Sequence, residues 1–400
     1  MISLTSVALV GVLALLSPLL VRLVRLPVPD VVVQIVLGVL VGPGVLGLAR
    51  VDEPVRVLSV VGLSFLLFLA GLEIDIARLR GRVARIAASA FVVSFALALA
   101  VGTLLGVVGI VGSPVLIAVI LSATAAGVVL PVLQDSGDAA APLGGLVIAG
   151  AAIAEVVPVV LLSLLFAGDG GSLGSRVALL AAFAALSCAV AVVVLRLAHL
   201  GWLTRALAAL QDTTAEIRVR GAVALLVGFA ALAAGFGLEA ILGSFLAGAA
   251  ISVLDPDRAH THPQFRPKVQ AVGFGALIPF FFVSTGMSLD VESFTQPATL
   301  VRIPVFLAAI LLVRGLPALL YRRLLNGRRE IARAALLQAT TLTIPVVGGA
   351  IGVDLRLITP DNEVALVAAA VVSVIAFPIL ATTLARRRSE SGPRDGRAAV

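Results

Sequence analysis

The sequence predicts an all-α polytopic membrane protein with about thirteen transmembrane helices. The first observation is composition: of 400 residues, 60% are hydrophobic and 13% are charged, whereas a soluble domain carries about 25% charged residues. The second is length, because a membrane-spanning helix needs about 20 apolar residues. The third is the position of the basic residues, which lie in short loops between apolar runs. Together these observations make lipid the solvent for most of the chain.

Thirteen apolar segments can be read along the chain. Their approximate ranges are 3–21, 29–48, 57–75, 84–110, 113–133, 142–167, 174–195, 219–236, 238–254, 269–288, 299–320, 331–352 and 363–385. Residues 1–6 contain no basic residue, so we expect no cleavable signal peptide.

Lys and Arg alternate between the two sides of the membrane when thirteen spans are assumed. With the N-terminus outside, the inner side holds 23 basic residues and the outer side holds 5, and Arg314 lies within a span. Cytoplasmic loops are enriched in Lys and Arg. We therefore predict a multi-pass protein of the cell (inner) membrane whose C-terminus is cytoplasmic.

An internal repeat divides the predicted domain. Gly71 and Asp75 end the third segment in the same pattern in which Gly286 and Asp290 end the tenth, 215 residues later. Further pairs are the glycines Gly38 and Gly42 with Gly243 and Gly248, and Pro131 with Pro345. Because seven helices separate the partners, the two copies would insert in opposite directions, as in many secondary transporters.

We interpret residues 1–385 as one transmembrane transporter domain. Its repeat units are about 29–167 and 238–385, and its linking helices are about 174–236. Residues 386–400 form a basic, polar tail that we expect to be cytoplasmic and disordered.

Glu155 is the candidate ion- and proton-binding residue. It is the only charged residue in the apolar stretch 146–166. An ionised side chain at the bilayer centre costs about 2.5–3.5 kcal/mol or more, so a group there that binds either a proton or a metal cation would be neutral in both loaded states. The alternative is a carboxyl group that only holds helices together.

Arg314 is the matching basic residue, alone among the charges of residues 306–320. It is predicted to stabilise charge, either by pairing with Glu155 or by facing the C-terminal end of a helix. A structural alternative is that its side chain extends to the membrane interface.

Two apolar segments carry the residues expected at discontinuous helices. The first contains Ser122, Thr124 and Pro131, and the second contains Thr340, Thr341 and Pro345. Proline frees a backbone carbonyl, and broken helices present carbonyls, hydroxyls and dipoles to an ion. We predict Ser122, Thr124, Thr340 and Thr341 as ligands and the two prolines as the positions of the breaks. An ordinary proline kink is the alternative.

Several other function classes find no support in the sequence. The net charge of +7 is spread over the loops without a basic face interleaved with aromatic residues, so no nucleic-acid partner is predicted. No nucleophile–base arrangement, Walker lysine motif, glycine-rich dinucleotide motif or zinc signature occurs. We therefore predict neither an enzyme nor a cofactor.

These motifs resemble the monovalent cation:proton antiporter superfamily, in particular its bacterial sodium/proton antiporter and potassium-efflux branch. The resemblance covers about residues 26–385 and is carried by residues 26–27, 37–43, 68–75, 242–248 and 281–290. It implies a thirteen-helix fold with two crossed discontinuous helices, often dimeric, in which one domain moves against another. It also implies that Glu155 takes the place of the essential carboxylate and Arg314 that of the basic residue.

The chain departs from the family pattern beside Glu155. Many relatives have two adjacent polar or acidic residues there, whereas this chain has Ala154 before its glutamate. With one carboxylate, we expect electroneutral, one-for-one exchange of Na⁺ or K⁺ for H⁺ by alternating access. Two alternatives stay open: a proton- or sodium-coupled carrier of a small organic anion, and a non-transporting sensor or assembly subunit.

Overall fold

The structure is a computed structural model. It describes residues 4–24, 29–73, 81–166, 216–236, 240–254, 264–325 and 327–390, together with isolated positions between 174 and 189. All regular structure in these ranges is helical. The helices are α1 (Thr5–Val24), α2 (Asp30–Val41), α3 (Glu53–Leu72), α4 (Gly81–Val107), α5 (Pro114–Leu121), α6 (Ala126–Asp135), α7 (Pro142–Phe166), α8 (Ile217–Gly235), α9 (Ala240–Leu254), α10 (Phe265–Ser288), α11 (Pro297–Arg323), α12 (Arg328–Gln338), α13 (Thr343–Asp354) and α14 (Pro360–Glu390).

The helices confirm a multi-pass, all-helical membrane protein. Among the described residues, ten candidate spans are long and apolar enough to cross a membrane. Two shorter apolar helices, Asp30–Val41 and Ala240–Ser252, correspond to the second and ninth predicted segments. The seventh, 174–195, lies largely outside the described residues. At the other end, α14 continues to Glu390. The first five residues of the predicted tail are therefore helical, and the rest of it lies outside the described residues.

The chain forms two compact units. The first comprises Met1–Arg80 and Glu155–Pro297, and the second comprises Gly81–Ala154 and Ala298–Val400. Helix α7 belongs to both, because the division falls between Ala154 and Glu155. The division of the chain into repeat units and linking helices stays a prediction.

Glycines set the closest helix contacts of the first unit. A Cβ atom at Gly38 of α2 would lie 2.1 Å from the carbonyl oxygen of Val283, and one at Gly286 of α10 would lie 2.1 Å from that of Ile35. Small residues let transmembrane backbones approach closely enough for extensive van der Waals contact. Gly38 and Gly286 therefore bring α2 and α10 together.

Helices α3 and α9 meet in the same way. A Cβ at Gly248 would lie 2.0 Å from the carbonyl oxygen of Phe68, and one at Gly71 would lie 2.1 Å from that of Phe245. In both helix pairs each glycine faces the carbonyl three residues before the partner glycine. The two helix pairs therefore share the same contact geometry. The inverted repeat of the whole chain stays a prediction.

The second unit contains two discontinuous helices. Residues Ser122–Ala125 interrupt the run from α5 to α6, and Ala339–Leu342 interrupt the run from α12 to α13. The predicted break positions at the prolines are wrong. Pro131 lies inside α6 and Pro345 lies in the first turn of α13, where its missing N–H has no intrahelical partner to lose.

An apolar core surrounds these breaks. Leu133 of α6, Leu146 of α7 and Leu337 of α12 belong to one buried cluster, to which α4, α11 and α14 also contribute. In lipid such packing holds helices together by van der Waals contact rather than by removal from water. The polar groups of the breaks are therefore enclosed by tightly packed apolar side chains.

Candidate ion-binding site

The two breaks are joined directly by backbone hydrogen bonds. The N–H of Ala125 in the first break donates to the carbonyl oxygen of Thr340 in the second at 2.8 Å. The hydroxyl of Thr124 donates to the carbonyl oxygen of Gln338, the last residue of α12, at 2.5 Å. A break leaves backbone N–H and C=O groups without helical partners. Here each break supplies hydrogen-bond partners for some of the groups that the other break leaves unpaired in its own helix.

The other predicted hydroxyl ligands lie at the same breaks and are buried. Ser122 and Thr340 are fully buried, and their hydroxyls donate to carbonyl oxygens of their own helices, at Val119 and Leu336 respectively. Thr341 exchanges hydrogen bonds through its backbone, since both its N–H and its carbonyl oxygen bond to the hydroxyl of Ser373 on α14. The structure thus brings Ser122, Thr124, Thr340 and Thr341 together at one pair of breaks.

Arg314 lies in a π-helical turn of α11, Leu311–Gly315, a feature that is frequent at functional sites. Its side chain is buried, and its three nitrogens reach different partners. Nε donates to the Thr124 hydroxyl at 2.9 Å, Nη1 to the Ser94 hydroxyl at 3.1 Å and Nη2 to Oε1 of Gln338 at 2.5 Å. The guanidinium also stands 5.8 Å from the centre of the Phe91 ring.

These partners bear on the roles predicted for Arg314. They are neutral oxygens, and one of them belongs to Gln338, the last residue of α12, where the helix dipole is negative. The structure therefore supports the helix-end role of this arginine, and the side chain does not extend to the interface because it is 4% exposed. Pairing of Arg314 with Glu155 stays a prediction.

Gln338 connects this cluster to α7. Its Nε2 donates to the carbonyl oxygen of Val147 and to the hydroxyl of Tyr321, both at 3.1 Å, while its Oε1 accepts from Arg314. Gly150 of α7 leaves the necessary room, because a Cβ there would lie 2.2 Å from Nε2 of Gln338. Each polar atom of this amide thus has a hydrogen-bond partner, and these bonds fix the orientation of the Gln338 side chain.

Glu155 follows directly on α7. The carbonyl oxygen of Ala154, the residue before it, accepts a hydrogen bond from the N–H of Thr124 at 3.3 Å. Glu155 itself is half-buried, in the middle of a 25-residue helix that spans Pro142–Phe166. The first break therefore contacts α7 at the peptide unit that precedes the candidate carboxylate.

A backbone and side-chain arrangement of this kind supplies carbonyl and hydroxyl oxygens, the donors that hard cations prefer. Among the described residues no group of three or more His, Cys, Asp or Glu side chains is placed to hold a metal ion.

Comparison with known proteins fixes the family of the chain. The profile of the family described as "Sodium/hydrogen exchanger, transmembrane" matches residues 11–387. The chain belongs to the sodium/hydrogen exchanger family. The members of this family are membrane transporters and not enzymes.

Relatives of this chain occur in bacteria, an archaeon and a plant. The putative Na⁺/H⁺ antiporter YjbQ of Bacillus subtilis is 29% identical over 97% of this chain and 64% of its own length. The probable Na⁺/H⁺ antiporter 3 of Methanocaldococcus jannaschii is 25% identical over 88% of this chain and 89% of its own. The glutathione-regulated potassium-efflux protein KefC of Klebsiella pneumoniae is 29% identical over 96% and 60%. This chain thus spans under two thirds of the length of two of these relatives.

The fold of this chain also matches a solved structure. The sodium proton antiporter MjNhaP1 from Methanocaldococcus jannaschii superposes with a TM-score of 0.69 at 18% identity, covering 96% of this chain and 98% of that one. At this identity the match shows a shared fold. It confirms the fold class that the sequence predicts.

Sequence reasoning missed three side chains that hold the breaks in place: Ser94, Tyr321 and Gln338. Tyr321 is the only tyrosine of the chain, and Gln338 is an uncharged polar residue beside the predicted break, so both carried a usable signal. Ser94 carried none, because nothing in an apolar α4 distinguishes it from a serine that bonds to its own helix.

Proposed function

We propose that this protein is a secondary active transporter that exchanges a monovalent cation, Na⁺ or K⁺, for H⁺ by alternating access. Membership of the family and the names of its relatives support this proposal. The observation that carries it is the bond from Thr124 to the carbonyl of Ala154. This bond sets the broken helices against the residue that precedes the one charged side chain in the middle of α7.

Glu155 is the proposed binding group for both the cation and the proton. An ionised carboxylate deep in an apolar span is costly, and either ligand would neutralise it. Only the loaded states would then cross easily from one side to the other, which couples the two fluxes. The hydroxyls of Ser122, Thr124, Thr340 and Thr341 are proposed as further oxygen ligands.

Arg314 is proposed to hold the breaks rather than to bind the transported ion. Its three donor nitrogens already have protein partners. These hydrogen bonds also argue against an organic anion as the substrate, because Arg314, the buried arginine best placed to bind an anion, already bonds to oxygens of the protein. Its charge would lower the cost of an ionised carboxylate in the same membrane region.

The remaining properties are part of the same proposal. With Ala154 next to Glu155, one carboxylate favours one cation per proton and electroneutral exchange. The 23-to-5 distribution of basic residues favours an external N-terminus and a cytoplasmic C-terminus in the cell membrane. We also propose a homodimer, which the resemblance to the antiporter superfamily implies.

The test is proton movement in proteoliposomes that contain an internal pH dye. When a pH gradient is imposed, added Na⁺ or K⁺ should dissipate it. The Glu155→Gln substitution should abolish this effect and leave the melting temperature within about 2 °C of the wild-type value. Glu53→Gln is the matched control, because Glu53 is an exposed acid at the start of α3 that pairs only with its neighbour Arg56 on the surface.

A potential clamped with valinomycin and K⁺ then tests the stoichiometry of Na⁺-driven exchange. One-for-one exchange predicts a rate that is the same at zero and at an imposed potential. Exchange that persists in Glu155→Gln would contradict the proposed binding residue. The absence of cation-dependent proton movement in the wild type over a broad pH range would instead favour a sensor or assembly role.

A further inference from the structure

A second polar cluster lies at the beginning of α2, on a different helix from Glu155. Asp30 and Gln34 are four residues apart and share one face of α2. Nε2 of Gln34 donates to Oδ2 of Asp30 at 2.6 Å and to the hydroxyl of Ser17 on α1 at 3.4 Å. The Ser17 hydroxyl in turn donates to the carbonyl oxygen of Ala14 at 3.3 Å.

Two oxygens of this cluster have no donor among the residues that the structure describes. They are Oδ1 of Asp30 and Oε1 of Gln34, and both atoms are buried. Gln34 is 3% exposed and Ser17 is fully buried. Native proteins rarely leave such acceptors unsatisfied, because no hydrogen bond then offsets the desolvation of the buried atom. Both oxygens belong to groups that are joined by one hydrogen bond, from Nε2 of Gln34 to Oδ2 of Asp30.

The hydrogen-bond polarity of the cluster limits what can satisfy them. Both N–H groups of the Gln34 amide and the O–H of Ser17 are already donating. The atoms that remain without a donor are therefore acceptors only, a carboxylate oxygen of Asp30 and the amide oxygen of Gln34. The Ser17 hydroxyl oxygen accepts from Gln34 and keeps one further lone pair. Oxygen acceptors of this mixture are the ligands of hard cations.

The charge of the cluster limits the cation. Asp30 provides a single negative charge, and its carboxylate is directed towards Gln34 rather than capping the helix, where Pro29 offers no side-chain cap. The neighbouring core between α1, α2 and α10 is apolar and contains Val10, Leu13 and Val41. One positive charge neutralises the site, whereas two would leave an excess charge beside this core.

We propose that Asp30, Gln34 and Ser17 form a second binding site for a monovalent metal cation, separate from the transport site at Glu155. The ion connects α1 to α2 through oxygens of both helices. Its occupancy therefore stabilises the folded first unit, and it does so whether or not Glu155 binds an ion.

The experiment measures the melting temperature of the detergent-solubilised full chain in NaCl or KCl, with N-methylglucamine chloride holding the ionic strength constant. All variants carry Glu155→Gln, so that the transport site does not contribute. We expect this background to gain about 3 °C or more between 1 and 300 mM metal cation. Adding Asp30→Asn should remove the gain, whereas adding Glu53→Gln should preserve it.

Gln34→Met provides a second variant in case Asp30→Asn lowers the yield of folded protein. It keeps the volume of the side chain and removes the amide oxygen, and it should reduce the gain in the same way. A gain that persists unchanged in both Asp30→Asn and Gln34→Met would overturn the site. So would the absence of any gain in the Glu155→Gln background. None of these results depends on whether the protein transports ions.

Discussion

The hydroxyl of Thr124 bonds to the backbone carbonyl of Gln338, a residue 214 positions away along the chain, at 2.5 Å. The same hydroxyl accepts a hydrogen bond from Arg314 at 2.9 Å. One small side chain therefore ties together the first break, the end of α12 and the buried arginine of α11. Since the surroundings are apolar, the loss of either bond would leave a buried polar group without its partner.

Replacement of Thr124 by valine tests this relationship. The change keeps the shape of the side chain and removes both bonds, so we expect a loss of about 2 kcal/mol in the free energy of unfolding and slower exchange. Thr124→Ser should retain most of both properties. Denaturant titration in detergent and the proteoliposome assay provide the two measurements.

Thr103→Val is the matched control for this change. Thr103 is exposed on α4, and its hydroxyl bonds only to Leu99 of its own helix. The control should unfold within about 0.5 kcal/mol of the wild type. Equal effects of the two valine substitutions would mean that the contact with Gln338 contributes nothing specific.

Substitution of Arg314 by lysine separates charge from geometry. Lysine keeps the positive charge but has one nitrogen, whereas Arg314 reaches Thr124, Ser94 and Gln338 from three. We expect the melting temperature to fall by several degrees and exchange to fall at least tenfold. Arg322→Lys on the exposed end of the same helix should change neither quantity. Wild-type behaviour of Arg314→Lys would show that a positive charge alone suffices there.

Gly150 tests the fit between α7 and the network around Gln338. An alanine Cβ there would lie 2.2 Å from Nε2 of Gln338 and 2.7 Å from the hydroxyl of Tyr321. The amide must then shift and give up bonds that fix Arg314. We expect Gly150→Ala to lower the free energy of unfolding by about 1–3 kcal/mol and to slow exchange, as measured by denaturant titration and by proton flux.

Gly145 offers the same substitution on the same helix, because a Cβ there meets no atom within 4 Å. Gly145→Ala should be neutral or slightly stabilising, since alanine favours helix over glycine by up to about 1 kcal/mol. If Gly145→Ala and Gly150→Ala behave alike, helix propensity rather than contact with Gln338 accounts for the effect.

The contact between α3 and α9 yields a prediction for the first unit. At Gly248 an added Cβ would lie 2.0 Å from a backbone carbonyl, that of Phe68. Backbone cannot move aside as a flexible side chain does, so Gly248→Ala should separate the two helices and lower the melting temperature by several degrees. Gly228→Ala on α8 has open space around it, and it should melt at or above the wild-type temperature. A wild-type melting temperature for Gly248→Ala would contradict the close packing.

Much of the fold could be predicted because the membrane imposes strong local rules. Apolar runs of about 20 residues separated by basic loops gave the helical class and the order of the segments. Glu155 and Arg314 stood out because buried charges are rare in lipid. The hydroxyl residues at the two breaks were also predicted, from their position near a proline within an apolar segment. The breaks precede Pro131 and Pro345 rather than coinciding with them.

Sequence by itself determined which residues enter the membrane, which of them carry charge there and which family the chain resembles. Each of these follows from local chemistry, since the cost of placing a residue in lipid depends mainly on the residue itself and on its immediate neighbours. Tertiary structure alone decided that Arg314 bonds to Ser94 and Gln338, that Gly38 faces Val283 and that Thr124 reaches the end of α12. These contacts join residues 24 to 245 positions apart, and they depend on how helices pack and rotate against each other, which local chemistry does not specify.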